Sequence, residues 1–228
     1  MKNYAGAVEE AVLQYEPNQI IVANELYHGM LSYIPEQTFY KTMERLVKSG
    51  KLVHLTKGLY YRPKRTRFGN VPISEEEISR HYLSNGEGLL VGYRMYNREG
   101  ITTQVGKQVE IFSNSITEEK KHIQNVSVRK ISADLNEKTI PIIEILEILQ
   151  NYRRIEDMNP KALGAYMEAF SRKYSDEAAQ YILSRMKYKK STIAFLSSVL
   201  NHFKVKNTLG SYLSPLSDYK IPDVEAIL

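Results

Sequence analysis

Between residues 35 and 63 the chain strings together a helical stripe, a glycine and two short β runs, and few folds accept that order in so short a span. Pro35 suits a first helical position, and Phe39, Met43, Leu46 and Val47 recur at the spacing of one buried helix face. Gly50 stands where a left-handed C-terminal cap belongs. Leu52-Val53-His54-Leu55 and Leu59-Tyr60-Tyr61-Arg62 flank Thr56-Lys57-Gly58, a hairpin composition that Pro63 closes. Upstream, Tyr4, Val8, Ala11, Val12 and Tyr15 predict a first helix, ended by Pro17-Asn18. Ile20-Ile21-Val22 predicts a short extended piece. Ala23 to His28 predicts a second, short helix, stopped by Gly29 and poorly capped by Val22. Three helices followed by a β hairpin is the order of a winged helix-turn-helix, and residues 1–70 are expected to form one.

Charge supports that reading. The net charge is only +5, but residues 41–67 carry nine basic side chains against the single acid Glu44. Such local asymmetry points to a polyanion at one place. The exposed face of the third helix is expected to carry Glu36, Gln37, Tyr40, Lys41, Glu44, Arg45 and Lys48, of which Gln37, Tyr40, Lys41, Arg45 and Lys48, together with Thr38, are the donors for base edges and phosphates. Lys57 falls at the hairpin tip, and Tyr61, Arg62, Lys64, Arg65 and Arg67 follow on its exit. These twelve residues are the candidate DNA contacts. A merely solvated face, or a winged helix used to bind protein, is the alternative.

The remainder, residues 71–228, reads as a second domain, so the chain as a whole is expected to be α+β. Residues 66–74 look like a linker, after which Ser74 and Glu77 stand in capping-box spacing. Residues 71–135 read as mixed α/β, with a helix from Tyr93 to Arg98 ended by Gly100 and strands at Gln108 to Phe112 and Ser127 to Ile131. Gly86-Glu87-Gly88 and Gly92 lack the spacing and the preceding strand of a dinucleotide loop and read as turns. Residues 136–228 read as mainly helical. Ile142, Ile145, Leu146 and Leu149 form one stripe, and Asn159-Pro160, Ser175 and Ser191 are the expected starts of three more helices. Ser214 to Leu228 reads as irregular. This half holds 21 basic and 20 acidic side chains, a balance poorly suited to non-specific DNA binding.

Absences narrow the classes further. With no cysteine there is no disulfide and no zinc–thiolate site, and a cytoplasmic setting is the expectation. Met1-Lys2-Asn3-Tyr4 leads into no continuous apolar run, so neither a signal peptide nor a membrane association is expected. The five histidines are scattered, and no two of the five aspartates lie within three residues of each other. There is no GxxxxGK[ST], HExxH or GxSxG run. No catalytic residue, metal ligand or cofactor is assigned, and the chain is not read as an enzyme.

Gly92-Tyr93, Asn97, Gly100-Ile101-Thr102-Thr103-Gln104-Val105 and Glu110-Ile111-Phe112-Ser113-Asn114 together resemble the signature of the AbiEi-like antitoxins, bacterial proteins of type IV toxin–antitoxin (abortive-infection, antiviral) systems. Arg45 to Leu52 and Lys57 to Pro63 resemble the wing of the same family, and Leu163 to Glu168 matches more loosely. The resemblance covers residues 1 to about 135 well. It departs at Gly106, where the family often has proline. It implies a transcriptional autorepressor that binds inverted repeats in its own promoter through double-stranded DNA contacts. It also implies a C-terminal part that counters a nucleotidyltransferase-like toxin without a stable complex, and it marks Gly92, Tyr93, Asn97, Gly100, Thr102, Thr103 and Gln104 as the antitoxin motif. A winged-helix regulator whose C-terminal domain senses a ligand or protein, with no toxin, is the other reading.

Overall fold

The Asn3 side chain accepts the amide hydrogen of Gly6 at 2.9 Å and starts helix α1 (Tyr4–Leu13) in the computed structural model, which describes residues 3–227, the side chain of Asn85 excepted. Met1 and Lys2, at which the leader reading begins, and Leu228, the last residue of the tail, lie outside the described residues. The chain divides into two compact units, Met1–His81 and Tyr82–Leu228. The first therefore takes in residues 71–81 as well as the 1–70 read from the sequence.

In the first unit, α1 is followed by β1 (Ile20–Val22), α2 (Ala23–Leu26) and a π turn over Tyr27–Leu31. Val22 offers α2 no side-chain cap, as its chemistry requires. Next come α3 (Glu36–Lys48), β2 (Val53–Thr56) and β3 (Leu59–Tyr61). Pro35 is the residue before α3 and not its first. Gly50, at φ +69°, ends α3, while the amides of Lys51 and Leu52 both return to the Leu46 carbonyl. Val8, Val12, Ile21, Leu26, Phe39 and Met43 form the core between α1, α3 and one sheet face. The sheet has the order β1-β3-β2 and is antiparallel throughout, with Ile20 opposite Tyr61 and Val53 opposite Tyr61. Alternation turns Ile20, Leu59 and Tyr61 to the other face from Ile21 and Tyr60. All three are buried there too, so both faces are covered.

Residues 64–71, which overlap the expected linker, form a two-stranded hairpin of β4 (Lys64–Thr66) and β5 (Gly69–Val71). Helix α4 (Glu75–Leu83) then starts in a reciprocal capping box. The Glu77 amide donates to Ser74 Oγ at 3.2 Å, and the Ser74 amide donates to Glu77 Oε2 at 2.7 Å. Asn18 ties these pieces together. It is 4% exposed at φ +63°, its amide donates to the Arg62 carbonyl at 2.7 Å, and its Oδ1 accepts from Lys64 N at 3.1 Å. Its Nδ2 donates to Glu77 Oε2 at 3.3 Å.

In the second unit β6 (Gly88–Val91), α5 (Tyr93–Arg98), β7 (Val109–Ser113), β8 (Lys120–Ile123) and β9 (Val126–Lys130) precede α6 (Thr139–Asn151), α7 (Pro160–Arg172), α8 (Asp176–Arg185), α9 (Lys190–His202) and a short α10 (Val224–Ile227). The sheet order is β6-β7-β9-β8, with β7 and β9 parallel and the outer pairs antiparallel. Its core joins Val91, Met95 and Phe112 to Ile145, Leu149, Met167 and Leu196 from the helices. Asn159 and Ser175 cap α7 and α8 with their side chains, at 3.2 Å each. The expected Ser191 cap is corrected: the cap position of α9 falls two residues earlier, at Lys189, which has no side-chain acceptor to give. The tail is not wholly irregular, since Val224 is buried in α10. The fold is mixed α+β, and no helix among the described residues is long and apolar enough to cross a membrane.

Candidate nucleic-acid interface

Helix α3 buries Phe39, Thr42, Met43 and Leu46, and this sets what its other side presents. Gln37, Lys41, Glu44, Arg45 and Lys48 are exposed, while Thr38 and Tyr40 are half-buried. Tyr40 packs edge-on against Phe39 with ring centroids 5.0 Å apart. Behind it, burial raises the Tyr60 phenol above its ordinary range, and the neighbouring Glu44 carboxylate and Tyr40 add to the effect. Among the described residues Lys41, Arg45 and Lys48 form no ion pair, which leaves three cations along one exposed helix face.

The other expected contacts separate into two groups. Lys57 is exposed at the β2–β3 turn, and Lys64 and Arg67 are exposed on the β4–β5 hairpin, where Arg67 lies 4.7 Å over the ring of Phe68. Phe68 itself is 87% exposed. Arg65 is exposed but donates to the Gly50 carbonyl at 3.0 Å, closing the end of α3. Two assignments are corrected. Tyr61 is 5% exposed within the sheet and has no surface to offer a ligand. Arg62 points back to α1, where its Nη1 donates to the carbonyls of Leu13 at 3.0 Å and Tyr15 at 2.5 Å, an interaction with the negative end of that helix. Lys51, part of the same basic run, pairs with Glu9.

The motif residues of the second unit are mostly structural. Gly92 precedes α5 at φ +68°, and a Cβ there would come within 2.5 Å of Glu110 Oε1. Gly100, at φ +69°, ends α5, and the Ile101 amide returns to the Tyr96 carbonyl at 2.8 Å. Tyr93 Oη donates to the Arg154 carbonyl at 2.8 Å and accepts from Glu156 N at 3.2 Å. Thr102, 2% exposed, donates to the Glu156 carbonyl at 2.6 Å, and Gln104 reaches Asp157. Asn97 donates to the Thr102 carbonyl at 3.2 Å. The motif thus laces the segment after α5 to the α6–α7 connection, and Thr103 is exposed, with no hydrogen bond among the described residues.

One cluster in this unit carries no motif. Arg129 lies 4.4 Å over the Phe112 ring, 3.4 Å from Glu147 and 3.9 Å from Glu110. Burial raises the Glu147 carboxyl above its usual range, and Arg129 opposes that rise. A cleft of about 240 Å³ adjoins it, lined also by Gly92, Tyr93 and Tyr96. The residues come from β7, β9 and α6, so only tertiary structure assembles them.

No protein-family profile matches the chain, and no curated protein does. Among solved structures, the RV2827C protein from Mycobacterium tuberculosis is similar over 90% of this chain and 78% of its own, at 13% identity and a TM-score of 0.46.

Proposed function

We propose that residues 1–70 act as a winged helix-turn-helix that reads duplex DNA, with α3 in the major groove and the β2–β3 turn as the wing. The observation that carries this reading is the exposed α3 face on which Lys41, Arg45 and Lys48 have no anionic partner among the described residues. Gln37, Thr38, Lys41 and Arg45 supply the groups for base edges, while Lys57, Lys64 and Arg67 supply phosphate contacts. Following the family resemblance, the chain is a repressor of its own promoter and the antitoxin of a nucleotidyltransferase-like toxin. The resemblance alone supports the antitoxin part.

The full chain should bind a duplex from its own promoter that carries inverted repeats. If about five phosphates are neutralised, the log–log salt slope is about −4 to −5. Arg45→Ala should relax sequence preference, whereas Arg67→Ala should weaken all sequences alike. Fluorescence anisotropy across a salt series reads both. Affinity that is flat with salt refutes the docking. Co-expression with the neighbouring gene product tests the antitoxin role, and absence of protection by a chain that binds the promoter would favour a ligand-sensing regulator.

A further inference from the structure

The β4–β5 hairpin of the first unit turns through Arg67 and Phe68. Its strands pair Lys64 with Val71, Arg65 with Asn70 and Thr66 with Gly69, and all six of these residues are exposed. A two-stranded hairpin with no buried face is marginal in water by itself. This one is braced at both ends. At its base Asn18 Oδ1 accepts from Lys64 N at 3.1 Å, and Arg65 Nη2 donates to the Gly50 carbonyl at 3.0 Å, where α3 ends. At its tip Thr66 Oγ1 accepts from Phe68 N at 3.2 Å and donates to the Gly69 carbonyl at 3.1 Å, while Gly69 takes φ +111°.

The tip is apolar and cationic at once. The Phe68 ring is 87% exposed, and the Arg67 guanidinium lies 4.7 Å over it. Lys64 and Arg67 are in no ion pair among the described residues, and no acidic residue occurs between Glu44 and Glu75. A ring held out in water by a fixed turn gains nothing for the fold, which points to a surface that covers it on binding. The cations make that surface anionic. Phosphates offer nothing to an apolar ring, but the minor groove of duplex DNA does, because an apolar side chain can enter there between two base pairs. The reach is sufficient. Half of the 13-residue α3 spans about 10 Å and the three residues of β4 add about 10 Å, so the tip can stand up to about 20 Å from the middle of α3. With α3 in a major groove, the adjoining minor groove is centred half a turn away, about 17 Å along the duplex.

We propose that the β4–β5 hairpin is a minor-groove wedge. Phe68 inserts between base pairs beside the stretch read by α3, Lys64 and Arg67 hold the flanking phosphates, and the duplex bends toward its major groove. The proposal rests on the reading of α3 as the groove-reading helix. It adds a second source of specificity, because pyrimidine–purine steps unstack most easily and the wedge therefore selects them without a hydrogen bond to any base.

The chain has no tryptophan, so Phe68→Trp places a single indole at the tip. With the full chain, the promoter duplex should quench that indole by stacking on it. Phe68→Ala should weaken binding about tenfold and leave the salt slope unchanged, whereas Arg67→Ala should lower that slope by about 1. Energy transfer between dyes on the two duplex ends should report a bend of at least about 20° with the natural chain and none with Phe68→Ala. The urea midpoint should not move in any of the three variants. An indole unchanged by a duplex that anisotropy shows to be bound overturns the wedge and leaves the α3 reading standing. So does a bound but unbent duplex, or an indole that answers only to phosphatidylglycerol vesicles, by brightening and shifting to the blue, which would make the tip a lipid-binding one. Absence of any duplex binding removes both readings together.

Discussion

Arg62 belongs by sequence to the basic run assigned to DNA, yet its guanidinium is bonded to the carbonyls of Leu13, the last residue of α1, at 3.0 Å and of Tyr15, just beyond it, at 2.5 Å. Replacing it by alanine removes two charge-assisted bonds, each in the range of about 1.5–3 kcal/mol when fully desolvated. The residue is half-exposed, so water recovers part of that, and the expected net loss is about 2 kcal/mol. With a urea m-value of about 2 kcal/mol/M, the unfolding midpoint of Arg62→Ala should fall by about 1 M. Affinity of the folded variant for the promoter duplex should stay within about threefold, because the cation faces α1. Arg45→Ala should show the reverse, with a midpoint nearly unchanged and affinity down about tenfold. Urea denaturation followed by circular dichroism, beside anisotropy at fixed salt, separates the two. The reasoning is refuted if Arg62→Ala keeps its stability and loses as much affinity as Arg45→Ala, because Arg62 would then be a phosphate contact.

Two further substitutions test the second unit's motif and the capping box. Gly92→Ala should cost about 1–3 kcal/mol from the backbone alone, since φ +68° with ψ −153° is a conformation that essentially only glycine adopts. The double variant with Glu110→Ala should recover only the part due to the clash with the carboxylate; full recovery in thermal unfolding would locate the whole cost in that clash. At Glu77, burial alone would raise the carboxyl, but hydrogen bonds from Ser74 and Asn18 outweigh it and hold the group below its ordinary range. A depressed acid stabilises the fold above its unfolded pKa, near 4.3, and that contribution is lost as pH falls through the folded value. The stability gap between the natural chain and Glu77→Gln should therefore be present at pH 7 and close on acidification, and a gap that widens toward low pH would contradict the assignment.

Where a face is buried and a polar atom caps its start, the sequence is easy to read. The stripe of Phe39, Met43 and Leu46, the Asn159 and Ser175 caps and the Ser74–Glu77 box all take the positions their spacing predicts. The β4–β5 hairpin escapes such reading because all six of its residues are exposed, which leaves no period to detect. Edge strand β8 hides for a related reason, since Lys120, Lys121 and His122 look like loop. Gly88 lies so close to the Tyr82 carbonyl that no side chain fits, and a strand opening on glycine reads as a turn. The site was harder. Counting charges treats Lys51, Arg62 and Arg65 like Lys41 and Arg45, but Glu9, the end of α1 and Gly50 engage the first three. Tyr61 was hidden likewise, because burial of the second sheet face is a property of the assembled unit.

The parallel pairing of β7 with β9 also bears on how fast the sheet of the second unit can close. β8 and β9 meet through the tight turn at Gln124, whose φ is +51°, so this hairpin can close locally, on a scale of about 1–10 μs. The parallel pair closes across the whole of β8, while β6 pairs with the other edge of β7. Non-local closure is the slow part of such a sheet. Changes at the Gln124 turn would then alter mainly how fast the second unit folds, while changes in β6 would alter mainly how long it stays folded.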